Sequence, residues 1–282
     1  MKRFCGILAL TALLQACSPS APADEGKVLM VSIEPQRNIL EHLVDSTYTV
    51  KTLVAGSADP ETFEPSTAAR MDVDKAELFF ATGVLPFEQR LGDVVDTSEG
   101  VELLFDTHGH SHDHGDHHDH SAADPHYWSS ISGAKAIAKN MAKALSDADK
   151  TNANLYTQRL DAYMQHLDSL DAVLTSVLQP CSASVASAFA IWHPSLSYFA
   201  RDYGLEQLAV GLEGKEMSAK GLGKAIDVAK EHGVKVFFFQ KEYDSRQAET
   251  INEAIGSRLV TINPLAYDWE DQLILIANEL AR

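Results

Sequence analysis

Thirteen residues, His108 to His120, contain seven of the twelve histidines in this 282-residue chain, in the order HGHSHDHGDHHDH. The histidines are His108, His110, His112, His114, His117, His118 and His120, with Asp113, Asp116 and Asp119 interleaved among them. Neutral imidazole is the commonest transition-metal ligand. Nothing in the run is apolar, so it is expected to be a mobile, solvated loop. Such a loop suits transient capture of Zn2+, with Ni2+ or Cu2+ as competitors, and binds metal more readily than it selects it. A purification tag would lie at a terminus and run uninterrupted, whereas this run is internal and punctuated by Asp and Gly.

Three further positions carry metal-competent side chains just after predicted strands or loops. Glu61 lies in a turn bracketed by Pro60 and Pro65, His126 in Asp124-Pro125-His126-Tyr127-Trp128, and His193 in Trp192-His193-Pro194. They are far apart in sequence, so a shared site requires two lobes to meet. Taken singly, each histidine also reads as a helix-entry residue, and Glu61 reads more readily as a surface carboxylate. His42, His166 and His232 fall within predicted helices with no partner at metal spacing and read as structural. A zinc hydrolase would need an open coordination position and a nearby base, for which Glu64 or Asp124 are the candidates. HExxH is absent and His193-Pro194-Ser195 is not a nucleophile elbow, so no enzyme is expected.

The elements that must position these residues alternate between strand and helix. Strands are predicted at Val28–Ile33, Tyr48–Val54, Glu77–Ala81 and Val101–Phe105, with helices at Gln36–Val44, around Ala68–Asp74, and at Ile131–Leu145. From Thr151 to Gln179, Leu155, Leu160, Met164, Leu167, Leu170, Leu174 and Leu178 recur at three- to five-residue spacing, which predicts one helix of about eight turns stopped by Pro180. Beyond it the strands are Val185–Ala190, Leu205–Val210, Lys235–Phe239 and Leu259–Ile262. The helices there are Leu196–Tyr203, Ser218–His232, Ser245–Ile255 and Trp269–Ala281. This pattern implies an α/β fold of two lobes with largely parallel sheets joined by one long linking helix. In such sheets ligands bind at the carboxyl ends of strands, which here face the cleft between lobes. No internal repeat is evident in the sequence.

The N-terminus sets the compartment. Lys2 and Arg3 precede an apolar run from Ile7 to Leu14, too short to span a bilayer but suited to a signal-peptide core. It ends in Leu14-Gln15-Ala16-Cys17, which resembles a bacterial lipoprotein cleavage box, so Cys17 is expected to be the lipidated first residue of an exported, membrane-anchored protein. The expected divisions are a signal peptide at 1–16, a tether at 17–26, an N-terminal lobe at 27–148, the linking helix at 149–180, and a C-terminal lobe at 181–282. Only Cys181 then remains, too few for a disulfide framework or a thiolate cage. The mature chain has 21 basic against 40 acidic side chains, which argues against nucleic acid and favours cation attraction.

At this point the chain resembles the ZnuA/TroA-like metal-binding lipoproteins of bacterial ABC importers over nearly its whole mature length. The motifs are the Asp-Pro-x-x-aromatic-Glu-Pro turn at 59–65, Lys75-Ala76-Glu77-Leu78, and the His-rich loop followed by Asp-Pro-His-Tyr-Trp. They continue in the stretch from His193 to Leu205, in Glu213-Gly214-Lys215-Glu216, and in Asn263-Pro264-Leu265. The resemblance implies one metal bound between the lobes, an ABC permease as partner, and a monomer. His126 and His193 match the family's second and third ligand positions. Glu61 stands where the family usually has His, and Asn263 where some members have Asp. A Glu-His-His site is sound for Zn2+ and harder than an all-His site, which raises Mn2+ or Fe2+ as alternatives. The fourth position is open to Glu34, Gln240, Asn263, a nearby carboxylate or water. A surface zinc-storage protein, in which the loop is the whole function, is the competing reading. The mature protein is expected to partition into detergent. Cys17→Ala should release it or leave an unprocessed precursor, and a processed, membrane-bound Cys17→Ala protein would refute the anchor.

Overall fold

The computed structural model describes residues 27–54, 58–105, 123–179, 187–211, 219–241, 243 and 245–282. The signal peptide, Cys17, the histidines of the 108–120 run, Cys181 and Glu213–Glu216 lie outside these. Among the described residues no helix is long and apolar enough to cross a membrane.

The first half builds β1 (Lys27–Val31), α1 (Glu34–Leu43), β2 (Tyr48–Thr52), α2 (Thr67–Lys75), β3 (Leu78–Ala81) and a two-residue β4 (Val95–Asp96). The second builds β5 (Ala188–Ile191), α5 (Ser197–Tyr203), β6 (Glu206–Ala209), α6 (Ala219–Glu231), β7 (Val236–Gln240), α7 (Ser245–Ile255), β8 (Arg258–Ile262) and α8 (Trp269–Leu280). Between them run α3 (Ile131–Ala148) and α4 (Ala153–Leu178). Each sheet is parallel throughout, in the orders β2-β1-β3-β4 and β6-β5-β7-β8. The two halves therefore repeat one topology although their sequences show no repeat. Buried parallel strands demand only apolar side chains on both faces, as in β5 and β7, so the topology can recur without residue identity.

The long helix is α4, whose 26 residues extend about 39 Å. Its buried stripe is Tyr156, Tyr163, Leu167, Leu170, Leu174 and Leu178, at helical spacing. One hydrophobic core is continuous from Leu29, Val31 and Phe80 of the first sheet to Phe189, Ile191 and Phe238 of the second. It passes through residues of α1, α3, α4, α5 and α8. Smaller clusters cover the outer faces. One lies under α2 around Val73 and Phe79, and the other includes Phe237, Ala229 and Ile251 beside α6 and α7.

The predicted strand at Val101–Phe105 does not form. The free edge of β3 is taken instead by Val95 and Asp96, which pair with Phe80 and Ala81. Ser98 N then donates to Asp96 Oδ1 (2.7 Å) and Val101 N to Ser98 O (2.9 Å), turning the chain off the sheet. Leu103 and Leu104 still pack on the core, and Phe105 makes only an isolated bridge with Ala123.

A short helical turn, His126–Ser129, enters α3, whose N-cap Ser130 accepts from Gly133 N (3.1 Å). A Cβ on Gly133 would stand 1.8 Å from the carbonyl oxygen of Tyr127, so only glycine lets α3 begin against that turn. Gly133→Ala should cost about 1–3 kcal/mol in urea unfolding and shift the turn that carries His126. A variant of unchanged stability would mean that the turn yields freely.

Candidate metal centre

In both sheets the chain reverses its winding between the first and third strands of the lobe, and the site lies beyond the carboxyl ends of those strands. Glu61 sits in the loop after β2, where Asp59 Oδ1 accepts its backbone N–H (2.9 Å), an Asx turn set by the Asp-Pro pair. Phe63 packs edge-on against Phe87 with ring centroids 5.2 Å apart, holding that loop to the lobe.

His126 is oriented by Asp124, two residues earlier. Asp124 Oδ1 accepts from the His126 backbone N–H (2.9 Å) and lies 2.8 Å from Nδ1. A carboxylate there calls for a proton on Nδ1, which leaves Nε2 as the donor atom facing the cleft. Asp124 is itself held, because its carbonyl accepts from Tyr198 OH (2.7 Å) across the lobe boundary. The Trp128 ring stands 5.1 Å from the His126 ring, and its Nε1–H donates to Pro264 O (3.2 Å).

His193 follows β5. Gln240, the last residue of β7 and fully buried, grips its backbone from both sides. Gln240 Oε1 accepts from His193 N (3.1 Å), while Nε2 donates to His193 O (2.5 Å) and Ser195 Oγ (2.9 Å).

The three side chains converge. Glu61 Oε1 lies 3.1 Å from His126 Nε2 and 3.0 Å from His193 Nε2, and the two Nε2 atoms are 3.2 Å apart. Ligand atoms of the three residues all lie within 4.8 Å of one another. A tetrahedral ion with 2.0–2.1 Å bonds has ligand edges of about 3.3 Å, and an octahedral one with similar bonds about 3.0 Å. The triangle has the size of one face of either polyhedron. It leaves the remaining vertices for other ligands.

Electrostatics reinforces the arrangement. Burial opposes ionisation of Glu61, but the hydrogen bonds from His126 and His193 outweigh it and hold the carboxyl far below its usual range. Burial likewise opposes charge on His126. Its hydrogen bonds to Asp124 and Glu61 overcome this and push the ring up to about 10. Asp124 is lowered because His126 outweighs its burial.

The other residues considered for the site do different work. Glu34 pairs with Arg37 at the start of α1 (3.4 Å). Asn263 Oδ1 caps its own loop by accepting from Leu265 N (3.1 Å). Gln240 clamps His193 rather than joining the cluster. Of the nominated hydrolytic bases, Glu64 is exposed and paired with Arg90 (2.8 Å), and Asp124 is bound to His126. His42, His166 and His232 lie outside the cluster. His166 pairs with Glu270 (2.6 Å) and His232 with Glu206 (2.8 Å). The orienting role of Asp124 is faint in the sequence, where its place two residues before a histidine is the available signal.

Two like α/β lobes on a shared core, with a metal-competent cluster at the seam between their strand ends, are the architecture of a bilobal solute-binding protein. The chain belongs to the ZnuA family, zinc-uptake complex component A, periplasmic, whose profile matches residues 29–275. It is 29% identical over 290 residues to the high-affinity zinc uptake system protein ZnuA of Bacillus subtilis strain 168, covering 94% of this chain and 89% of that protein. It is 27% identical over 281 residues to the zinc-binding lipoprotein AdcA of Streptococcus pneumoniae R6, but spans only 56% of that relative's length. A crystal structure of ZnuA superimposes with a TM-score of 0.80 at 31% identity, covering 91% of this chain and 98% of that one.

The shifts of Glu61 and His126 predict opposite pH trends for the apoprotein and for metal binding. The depressed Glu61 contributes stability that is present above about pH 4.5 and lost on acidification. The raised His126 contributes stability that is full below about pH 6.5 and lost as pH climbs toward about 10. A Zn2+ ion held by the same Nε2 would displace that proton, so its binding would tighten over that second interval. The apoprotein Tm should fall from about pH 7 to about pH 10 while the increment added by Zn2+ grows. Parallel trends would sink the linkage.

Proposed function

We propose that this protein captures Zn2+ outside the cytoplasm through Glu61, His126 and His193 and delivers it to an ABC permease for import. The observation that carries the reading is the convergence of one carboxylate and two imidazoles to about 3 Å at the strand ends of both lobes. Metal is cargo here, and no bond is made or broken. The zinc-uptake and zinc-binding names of relatives alignable over 94% of the chain support zinc as that cargo. The ligand cluster occupies a seam between lobes that share a core, so binding involves limited lobe adjustment rather than wide opening. The cleavage box ending at Cys17 supports a lipid anchor, with residues 17–26 as tether, lobes at 27–148 and 181–282, and a linking helix at 149–180. The His-rich segment 108–120 enters between Phe105 and Ala123, whose bridge lies three residues from His126, and serves as an auxiliary capture element.

A second reading, Mn2+ or Fe2+ as cargo of the same type of importer, is favoured by one observation. Glu61 supplies a hard oxygen at a corner of the triangle.

Competition titrations with zinc chelators test both readings. His126→Ala and His193→Ala should each abolish the tight site while leaving the fold intact. Glu61→Ala should weaken Zn2+ by about tenfold or more, and Glu61→His should restore it and shift preference toward Zn2+ over Mn2+. Zinc binding of parental strength in Glu61→Ala would make the carboxylate a bystander. Deleting residues 108–120 should leave one tight site, whereas loss of nearly all binding would favour a storage protein.

A further inference from the structure

Beneath the metal cluster, within the first lobe, lies a buried carboxylate that the capture reading does not use. Glu88 is 4% exposed. Its Oε1 accepts from Thr82 N (2.7 Å) and from the Ser32 hydroxyl. Its Oε2 accepts from Thr82 Oγ1 (2.9 Å), Gly83 N (2.8 Å) and Leu85 N (3.3 Å). Three of the five donors are backbone N–H groups of the turn after β3, where Gly83 adopts φ +82°. Burying a carboxylate is costly unless both oxygens are satisfied, and here both are.

The demand for so many acceptors at one point is explained by what Thr82 does on its other side. Its N–H and hydroxyl are both taken by Glu88, and its carbonyl accepts from Tyr127 OH (2.8 Å). Tyr127 is fully buried and follows His126 in the same helical turn. Its phenol also meets Thr97 Oγ1 (2.9 Å), which accepts from Gln36 Nε2 (2.9 Å). A continuous run of hydrogen bonds therefore connects Glu88 to the residue adjoining His126, and it passes through the strand-end loop of β3.

We infer that Glu88 is a positioning residue for metal capture, fixing Thr82 so that its carbonyl anchors Tyr127 and thereby sets where the His126 imidazole stands. The inference rests on the reading of His126 as a ligand. Glu88 works from the first lobe as Gln240 works from the second, each gripping the loop that leaves the middle of a sheet. Glutamine at position 88 would keep the volume but set an NH2 group against backbone N–H donors, which loosens the turn.

The test compares Zn2+ affinity, the visible absorption spectrum of the Co2+-loaded protein, and Tm across variants. Glu88→Gln should weaken Zn2+ by about tenfold and alter the Co2+ spectrum, which reports ligand geometry. Tyr127→Phe should do the same, and the double variant should be little worse than the weaker-binding single, because both cut one path. Thr82→Val removes the hydroxyl that donates to Glu88 and accepts from Val84 N, and provides the test should Glu88→Gln not fold. It should shift the Co2+ spectrum in the same direction. A Glu88→Gln protein, or failing it a Thr82→Val protein, with lowered Tm but parental Zn2+ affinity and Co2+ spectrum would overturn the inference. So would fully additive losses in the double variant. A tight Zn2+ event that survives His126→Ala would overturn His126 as a ligand, and this inference with it.

Discussion

The spacing between the two sheets is set by a core that neither lobe owns. Phe80 and Leu29 on one side and Phe189 and Phe238 on the other belong to a single apolar cluster, bridged by buried side chains of α1, α3, α4, α5 and α8. Interiors packed at crystal-like density resist compression and shear. Loops leaving the two sheets are therefore held at a fixed separation. Glu61 and His126 on one lobe can meet His193 on the other at about 3 Å only because of it.

Within that frame the local problem is orientation. Imidazole nitrogens and a carboxylate oxygen bind an ion only when their lone pairs share a focus, and each side chain has a device to achieve this. Asp124 supplies the Nδ1 partner of His126, the Gln240 amide pins both backbone groups of His193, and the Asx turn of Asp59 fixes the start of the Glu61 loop. Asp124 and Gln240 are polar and buried, which makes them costly to leave unsatisfied and hence effective at selecting one geometry. Ligand identity sets the chemistry. The supports set the geometry.

Much of this was legible in the sequence, for identifiable reasons. The alternation of apolar runs with amphipathic stretches is a direct print of parallel α/β layering, and the leucine period from 155 to 178 marks α4 without ambiguity. Glu61, His126 and His193 were visible because each stands beside proline or follows a strand. The short strand β4 was not, since two residues carry no period, and the apolar run at 101–105 looked more strand-like than the edge it replaced. Glu88 and Thr82 were also hidden. A buried carboxylate satisfied by backbone donors resembles any surface glutamate until the turn that surrounds it is seen. The repeated strand order leaves no trace in the sequence, because topology is recorded in pairing and not in residue identity.

The shared core also bears on how the chain folds. α8 contributes Trp269, Leu273, Ile276, Ala277 and Leu280 to the same cluster as Leu29 near the start of β1. Trp269 Nε1 also donates to Asn38 Oδ1, 231 residues away; contacts at such separation carry a large loop-closure entropy, and all-parallel sheets are built entirely from non-local pairs. The face of α4 against which α8 packs stays uncovered until α8 docks. The chain is thus expected to close late, and one cut short before Trp269 would leave uncovered the faces of α4 and α1 that α8 meets, open to association with other chains.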